Sequence, residues 1–291
     1  MSTTELRGTW SARGCAPYGR WWAGPLHETS HIVQVTSVRD ETATVHTLEF
    51  DDSTMAAALP GQFAMVWVPG IGEIPMSVMV ADGGRAAFTV RRHGEATTGL
   101  YNLGPGEMMG VRGPYGNSFD IRAGRLLLVG GGTGLVPLMR LISRAPPDAD
   151  ITLVMGARTR PEVFFADTAR ALLRPRPHCI VVCTDDGSYG RPGLATDAAA
   201  DELSGGAFDA VYACGPEIMM YKVMRLAQDA GVFAQASVER IMKCGTGICG
   251  SCCMGRELVC GDGTVFEAGR LLANPDFGVR YRTKSGEVAY Y

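Results

Sequence analysis

Arg125-Leu-Leu-Leu-Val-Gly130-Gly-Gly-Thr-Gly134-Leu-Val-Pro-Leu-Met-Arg140 reads as a buried strand, a glycine turn and a helix. Working outward, 151–156 is strand-like, 161–173 helical, 179–184 strand-like, 210–215 a strand and 216–230 a helix. Strands alternating with helices imply a parallel α/β sheet, whose ligands sit beyond the carboxyl ends of the strands. Two stretches fall at that edge. Gly130, Gly131, Gly132, Thr133 and Gly134 depart from a strict G-x-G-x-x-G, but their place between strand and helix suits a pyrophosphate: glycines permit close approach, and a helix start offers amides and a favourable dipole. A packing turn without ligand is the competing reading. Cys214-Gly215-Pro216 is the second stretch; it fits a ligand edge, or simply a strand end with a buried thiol and ordinary helix initiation at Pro216.

Upstream the texture differs. Segments 31–38, 43–50, 62–69, 76–80 and 85–92 are short and rich in β-branched residues. Joined by Gly- and Pro-containing turns, they imply an antiparallel barrel, which also removes exposed strand edges. Pro75, in Ile74-Pro75-Met76-Ser77, marks a strand start or edge. Thr97 and Thr98, in Gly94-Glu-Ala-Thr97-Thr98-Gly99-Leu100, open a helix; they either cap it or make it a phosphate site with Gly94. His31, His46, His93 and His178 are scattered without ligand spacing.

Downstream lies Cys244-Gly-Thr-Gly-Ile-Cys249-Gly-Ser-Cys252-Cys253, followed by Cys260. Five of the nine cysteines fall within 17 residues. Skipping Cys253, the order C-x4-C-x2-C…C is the plant-type 2Fe–2S spacing. Gly245, Gly247 and Gly250 let the loop take positive φ and turn amides inward, toward the sulfurs of a cluster. Structural zinc more often shows two C-x2-C or C/H pairs, and a disulfide staple does not suit a chain of this length without a signal peptide. The expected ligands are Cys244, Cys249, Cys252 and Cys260, with Cys253 the rival.

With 291 residues, two or three domains are expected. The 46% hydrophobic and 20% charged content is that of an ordinary globular protein. A net charge of −3 with no basic stripe argues against nucleic acid as a partner. No apolar run is long enough to span a membrane, and residues 1–22 lack the apolar core of a secretory signal, so a cytoplasmic location is expected. Residues 1–25 have no periodicity; Trp21 and Trp22 set a docking segment against a mobile tail.

Taken together, these motifs resemble the ferredoxin–NADP reductase superfamily and, within it, the electron-transfer subunits of NAD-dependent dihydroorotate dehydrogenase. The resemblance covers roughly 27–285 and is carried most strongly by Glu239-Arg240-Ile-Met-Lys-Cys244 through Cys252, and by Val259-Cys260-Gly-Asp262-Gly263-Thr-Val-Phe266. Gly94-Glu-Ala-Thr97, Gly113-Pro-Tyr-Gly116-Asn, Gly130–Gly134, Thr184-Asp-Asp-Gly187 and Cys214-Gly215-Pro216 support it. It implies an N-terminal extension (1–25), an antiparallel FAD-binding β-barrel (26–121), an NAD(P)-binding α/β domain with a parallel sheet (122–236) and a small irregular 2Fe–2S domain (237–291). Pro75, Met76, Ser77, Gly94, Thr97 and Thr98 would then bind the flavin, with NAD(H) or NADP(H) as substrate. An FMN-containing catalytic subunit would be the partner, in a heterotetramer, and no residue of this chain would act as acid or base.

The sequence departs from that pattern in two places. Ile74 stands where the flavin strand usually carries an Arg, removing a charge-assisted phosphate contact, and the segment between Cys252 and Cys260 is short. Arg158 and Arg160 follow the second strand of the nucleotide domain, either to meet a 2′-phosphate or as solvated loop charges. Two alternatives remain: the same module serving an NADPH–ferredoxin reductase, a sulfide dehydrogenase or a hydrogenase, and a non-enzymatic zinc-bearing binding module.

Overall fold

The computed structural model describes residues 30–291; the expectation for Trp21, Trp22 and residues 1–25 lies outside them. The first unit is a closed antiparallel barrel of β1 (His31–Thr42), β2 (Val45–Phe50), β3 (Phe63–Val68), β4 (Gly72–Val80), β5 (Ala86–Arg91) and β6 (Met108–Tyr115), in the order β1-β2-β5-β4-β3-β6. Helix α1 (Ser53–Ala56) and α2 (Glu95–Tyr101) connect strands. Alternation fills the barrel: Val33, Leu48, Phe50, Val66, Val78, Phe88, Val90 and Val111 are buried in one cluster.

The second unit is a seven-stranded sheet flanked by helices. Its strands are β7 (Arg125–Gly131), β8 (Asp150–Ala157), β9 (His178–Thr184), β10 (Arg191–Pro192), β11 (Ala210–Cys214), β12 (Phe233–Ser237) and β15 (Val265–Glu267), ordered β10-β9-β8-β7-β11-β12-β15. All pair in parallel except β15, which runs antiparallel to β12. The helices are α3 (Leu135–Arg144), α4 (Ala166–Leu173), α5 (Ala195–Gly205) and α6 (Glu217–Asp229). Leu126–Val129 are fully buried, consistent with a strand covered on both faces.

Two local expectations change, and of the two readings of Pro75, strand start or edge, the edge holds. The helix expected over 161–173 begins only at Ala166: residues 160–162 form a 3-10 turn, and Phe165 takes φ 66°. Phe164 and Phe165 both turn into the core, edge to face with ring centroids 4.8 Å apart, and their burial outweighs the local strain. Pro75 lies inside β4 rather than at its start. There β4 pairs with β3 alone, because β5 joins it only over Val78–Val80, so the missing N–H of Pro75 faces an open edge.

The last 55 residues are more regular than expected. They form the two-stranded pairs β13 (Cys253–Met254) with β14 (Glu257–Leu258) and β16 (Arg280–Arg282) with β17 (Val288–Tyr290), and the short helices α7 (Val259–Asp262) and α8 (Ala268–Leu272), besides β15. Val265 and Phe266 enter different cores on opposite faces of the sheet, which fixes β15 at its edge.

Candidate functional site

The turn after β7 and the turn after β11 interlock at backbone distance. A Cβ on Gly134 would stand 2.5 Å from the carbonyl of Cys214 and from Cα of Gly215, and one on Gly131 would stand 3.0 Å from Pro216 Cδ. Gly130 packs the strand on the helix instead, since a Cβ there would meet Leu135 Cδ2 at 2.5 Å. These glycines therefore serve close packing and also open an edge. A cleft of about 850 Å³ runs along it, lined by Gly131–Gly134, Gly156, Ala157, Ala195, Thr196, Gly215 and Pro216, with Arg91 and His93 from the barrel. Cys214 stays out of the lining. It is 1% exposed, and burial pushes its thiol well above the ordinary range.

The flavin-strand residues divide by strand alternation. Ile74 and Met76 pack toward the barrel core, while Met79 shares a cluster with α3 on the opposite face; Pro75 and Ser77 have the parity of Met79. Among the described residues the hydroxyls of Ser77, Thr98 and Thr133 meet no protein partner, whereas Thr97 Oγ1 is spent on the helix start: it accepts from the amides of Gly94 (2.9 Å) and His93 (3.1 Å) and donates to the Gly94 carbonyl. The residues thus offer an open strand edge, free hydroxyls and a long cleft, which fit a flavin and a dinucleotide. Ile74 brings no charge, but Lys284, whose Nζ approaches Gly94, brings a cation to the start of α2, whereas Arg92 lies over Tyr101 at its far end, 5.1 Å from the ring centroid.

The cysteine loop folds back over α7. The amides of Thr246, Ile248 and Cys249 point at Cys244 Sγ (3.4–3.5 Å), that of Gly247 at Cys260 Sγ (3.1 Å) and that of Cys260 at Cys252 Sγ (3.5 Å). Gly245 and Gly247 take φ 74° and 77° to present them. Burial opposes ionisation of Cys244, but its three amides and the Cys249 thiol outweigh it and bring the thiol down to about 6. Cys252 and Cys260, with sulfurs 3.3 Å apart, share one proton: the hydrogen bond between them lowers Cys252 to about 7 and raises Cys260. Cys249 is exposed and contacts the Ser251 hydroxyl at 3.3 Å. Cys253, on β13, receives no amide among the described residues. The donors are all thiols with amides aimed at sulfur, a set suited to an iron–sulfur cluster. Among the described residues, no three His, Cys, Asp or Glu side chains close on a single-ion site.

The loop also touches the barrel beside the flavin strand. A Cβ on Gly245 would meet Met65 Cγ at 2.8 Å, and Met65 is paired with Pro75. Behind it, Arg112 holds Glu73 with two 2.6 Å hydrogen bonds and lies over Tyr115.

Sequence reasoning missed several residues here. Arg140 of α3, 4% exposed, donates to the carbonyls of Ala58 (2.7 Å), Met79 (3.2 Å), Met55 (3.4 Å) and Ala56 (2.5 Å). Helix α5 was also unforeseen, although Ala195–Ala200 is rich in the best helix former. Arg158 lines the cleft, 75% exposed and loosely paired with Glu162 at 3.8 Å, facing a wall that also carries Asp185; Arg160 lies over the Tyr189 ring.

A family model described as an oxidoreductase NAD-binding domain matches residues 128–225, and one described as the iron–sulfur cluster binding domain of dihydroorotate dehydrogenase B matches residues 239–272. A Thermoplasma volcanium protein named as a probable dihydroorotate dehydrogenase B (NAD(+)), electron transfer subunit, is 44% identical over 227 residues, covering 78% of this chain and 86% of its own length. A Methanocaldococcus jannaschii protein of the same name is 38% identical over 263 residues, 89% of this chain and 98% of that one. Among solved structures, a chain of an NADH-dependent reduced ferredoxin–NADP oxidoreductase superposes with a TM-score of 0.72 at 29% identity, covering 83% of this chain and 90% of its own.

Proposed function

The chain belongs to the family of dihydroorotate dehydrogenase B (NAD(+)) electron transfer subunits, and from that membership we propose that it passes electrons between a dihydroorotate-oxidising, FMN-bearing catalytic subunit and NAD(+), in pyrimidine biosynthesis. It is an NAD-linked flavin and iron–sulfur oxidoreductase subunit, with FAD, a 2Fe–2S cluster and NAD(H) as its redox groups. The observation that carries this reading is the contact of Gly245 with Met65, the strand partner of Pro75. It sets the cysteine loop one strand away from the open edge of β4, and neighbouring antiparallel residues lie only about 5 Å apart at Cα.

Bound flavin would supply the one exchange this chain needs, hydride with the nicotinamide and single electrons with the cluster. The chain's own residues bind and align. Cys244, Cys249, Cys252 and Cys260 would ligate the cluster. Pro75, Ser77 and Thr98, with Gly94 and the backbone of Met76 and Thr97, would form the flavin wall, Lys284 supplying the charge that Ile74 lacks. Gly130–Gly134 would seat the pyrophosphate and Cys214-Gly215-Pro216 would border the nicotinamide; since Cys214 is buried, Gly215 and Pro216 would make that contact. Residues 26–121, 122–236 and 237–291 would be the flavin, nucleotide and cluster regions, with β15 of the third lent to the sheet of the second.

The partner would complete a heterotetramer in the cytoplasm; no helix among the described residues is long and apolar enough to cross a membrane. Purified protein is expected to show flavin and 2Fe–2S absorbance that NADH bleaches, and protein without iron would overturn the reading. The likeness to the ferredoxin–NADP oxidoreductase chain favours a second reading in which the same module serves another partner. Co-purification decides between them: an FMN subunit that oxidises dihydroorotate supports the first, an iron–sulfur flavoprotein the second.

A further inference from the structure

Helix α5 begins inside the cleft, and its first turn is unfinished. Its 11 residues start after Leu194, which supplies no side-chain cap. The amides of Asp197 and Ala198 return to the Leu194 carbonyl, at 3.1 and 3.3 Å, but those of Ala195 and Thr196 donate to no protein group among the described residues. Asp197 is exposed, and its carboxylate engages no amide. One side chain is left over as well. Thr196 is only 7% exposed and lines the cleft, yet its Oγ1 has no hydrogen-bond partner among the described residues. Buried hydroxyls are almost always paired, and an exception calls for a reason.

The position of this hydroxyl along the edge identifies what it waits for. Ala195 packs against Gly156, where an added Cβ would stand 2.9 Å from the alanine Cβ. Gly156 is in turn the β8 partner of Gly131, the first residue of the glycine turn. Helix α5 therefore starts beside the turn that opens α3. The two helices follow different strands, and their first turns meet at one point of the sheet edge. The two free amides of α5 and the hydroxyl, set beside the glycine turn, match a group with several anionic oxygens. Of the carboxylates lining the cleft, Glu162 is paired with Arg91 at 3.1 Å and Glu217 with Arg240, while Asp185 and Glu239 make no ion pair among the described residues.

We infer that Thr196, with the first turn of α5, is a second ligand of the dinucleotide pyrophosphate, opposite the Gly131–Gly134 turn. This rests on the reading that the cleft takes NAD(H). In the free chain the hydroxyl is an unmet donor; on binding it would donate to a phosphate oxygen, so part of the affinity for nucleotide comes from relief of a group left unpaired.

The test uses the holoprotein with ADP-ribose as probe, which carries the pyrophosphate without redox chemistry. Thr196→Val keeps the shape and deletes the donor. Its expected effects are a Kd for ADP-ribose and for NADH raised about tenfold, and a nucleotide-free Tm equal to or above that of the parent, because an unpaired buried hydroxyl has been removed. Thr196→Ser should keep the parental Kd. A Thr196→Val protein that binds ADP-ribose as the parent does would overturn the assignment and leave the hydroxyl bound to water alone. A lowered Tm with an unchanged Kd would overturn it too, by showing a purely structural role. If Val at this position blocks folding, Thr196→Ala deletes the same donor with room to spare and is judged by the same Kd. Failure of the parent protein itself to bind ADP-ribose would instead remove the dinucleotide reading on which the assignment rests.

Discussion

Arg240 and Glu217 form an ion pair with both side chains at least 95% buried, Arg240 Nη2 lying 2.8 Å from Glu217 Oε1. Arg240 stands four residues before Cys244, and Glu217 opens α6 directly after Pro216. The pair therefore couples the entry of the cysteine loop to the edge proposed for the nicotinamide. Glu217 also accepts from the Gly278 amide at 2.8 Å and the Tyr291 hydroxyl at 2.9 Å, so the C-terminal residue closes the same node.

Removing one partner leaves the other charged and buried, and such losses cost about 3–5 kcal/mol. Arg240→Met is expected to lower stability by that amount in urea denaturation. The double variant Arg240→Met/Glu217→Leu should recover most of it, whereas additive losses would mean that the two side chains do not act as a pair.

Ligand choice at the cluster is separable by single substitutions. Cys244→Ser and Cys260→Ser are each expected to abolish 2Fe–2S absorbance and reduce bound iron, because their sulfurs are the ones the loop amides face. Cys253→Ser should retain both. Iron lost from Cys253→Ser and kept in Cys260→Ser would exchange their roles.

In metal-free protein Cys244 should alkylate as a thiolate down to about pH 6, while Cys214 stays inert. The folded-state value lies below that of an unfolded thiol, near ~8.5, so the thiolate stabilises the fold. That contribution is complete above the unfolded value and is lost as pH falls through about 6. Iodoacetamide labelling across this range, read by mass spectrometry, checks the midpoint; one at the ordinary thiol value would mean the amides do not face the sulfur.

Gly134→Ala places a methyl against the Cys214 carbonyl and Gly215 Cα, backbone that cannot rotate away. A loss of about 1–3 kcal/mol is expected, together with weakened NADH binding as the two turns are pushed apart. Gly269→Ala, in α8 where a Cβ meets nothing within 4 Å, is the control expected to leave NADH binding unchanged and to cost no stability, since alanine favours the helix.

Arg140 spans the joint between barrel and sheet with no ion pair among the described residues, its charge satisfied by four carbonyl oxygens at the end of α1 and on β4. Arg140→Met is expected to cost about 2–4 kcal/mol, since hydrogen bonds to a charged group are worth about 1.5–3 kcal/mol and the freed carbonyls stay buried. Faster hydrogen exchange at Ala57–Ala58 would report the loosened joint, and unchanged protection there would count against the clamp.

Much of this architecture was legible because its signals are local. The apolar run at Leu126–Val129, the glycines that follow it and the alternation in β1–β5 each point to one element without help from distant residues. What escaped depends on tertiary contact. Phe165 leaves the helical region because two aromatic rings find the core, which no window of sequence encodes. Arg140 reads as one more polar residue on an amphipathic helix until the barrel carbonyls are set against it. Thr196 looks like any threonine near a helix start; its missing partner can be seen only when every neighbour is placed.

Strand β15 sits beside β12, Asn117 exchanges two 2.8 Å hydrogen bonds with Val265, and Thr264 Oγ1 reaches the Gly61 carbonyl at 2.6 Å. The cysteine-bearing tail is therefore sewn into both bodies of the molecule and has no pivot of its own. A carriage that swings between donor and acceptor needs slack, and this seam leaves none. Electrons would cross a fixed gap, at a rate that added viscogen should not slow.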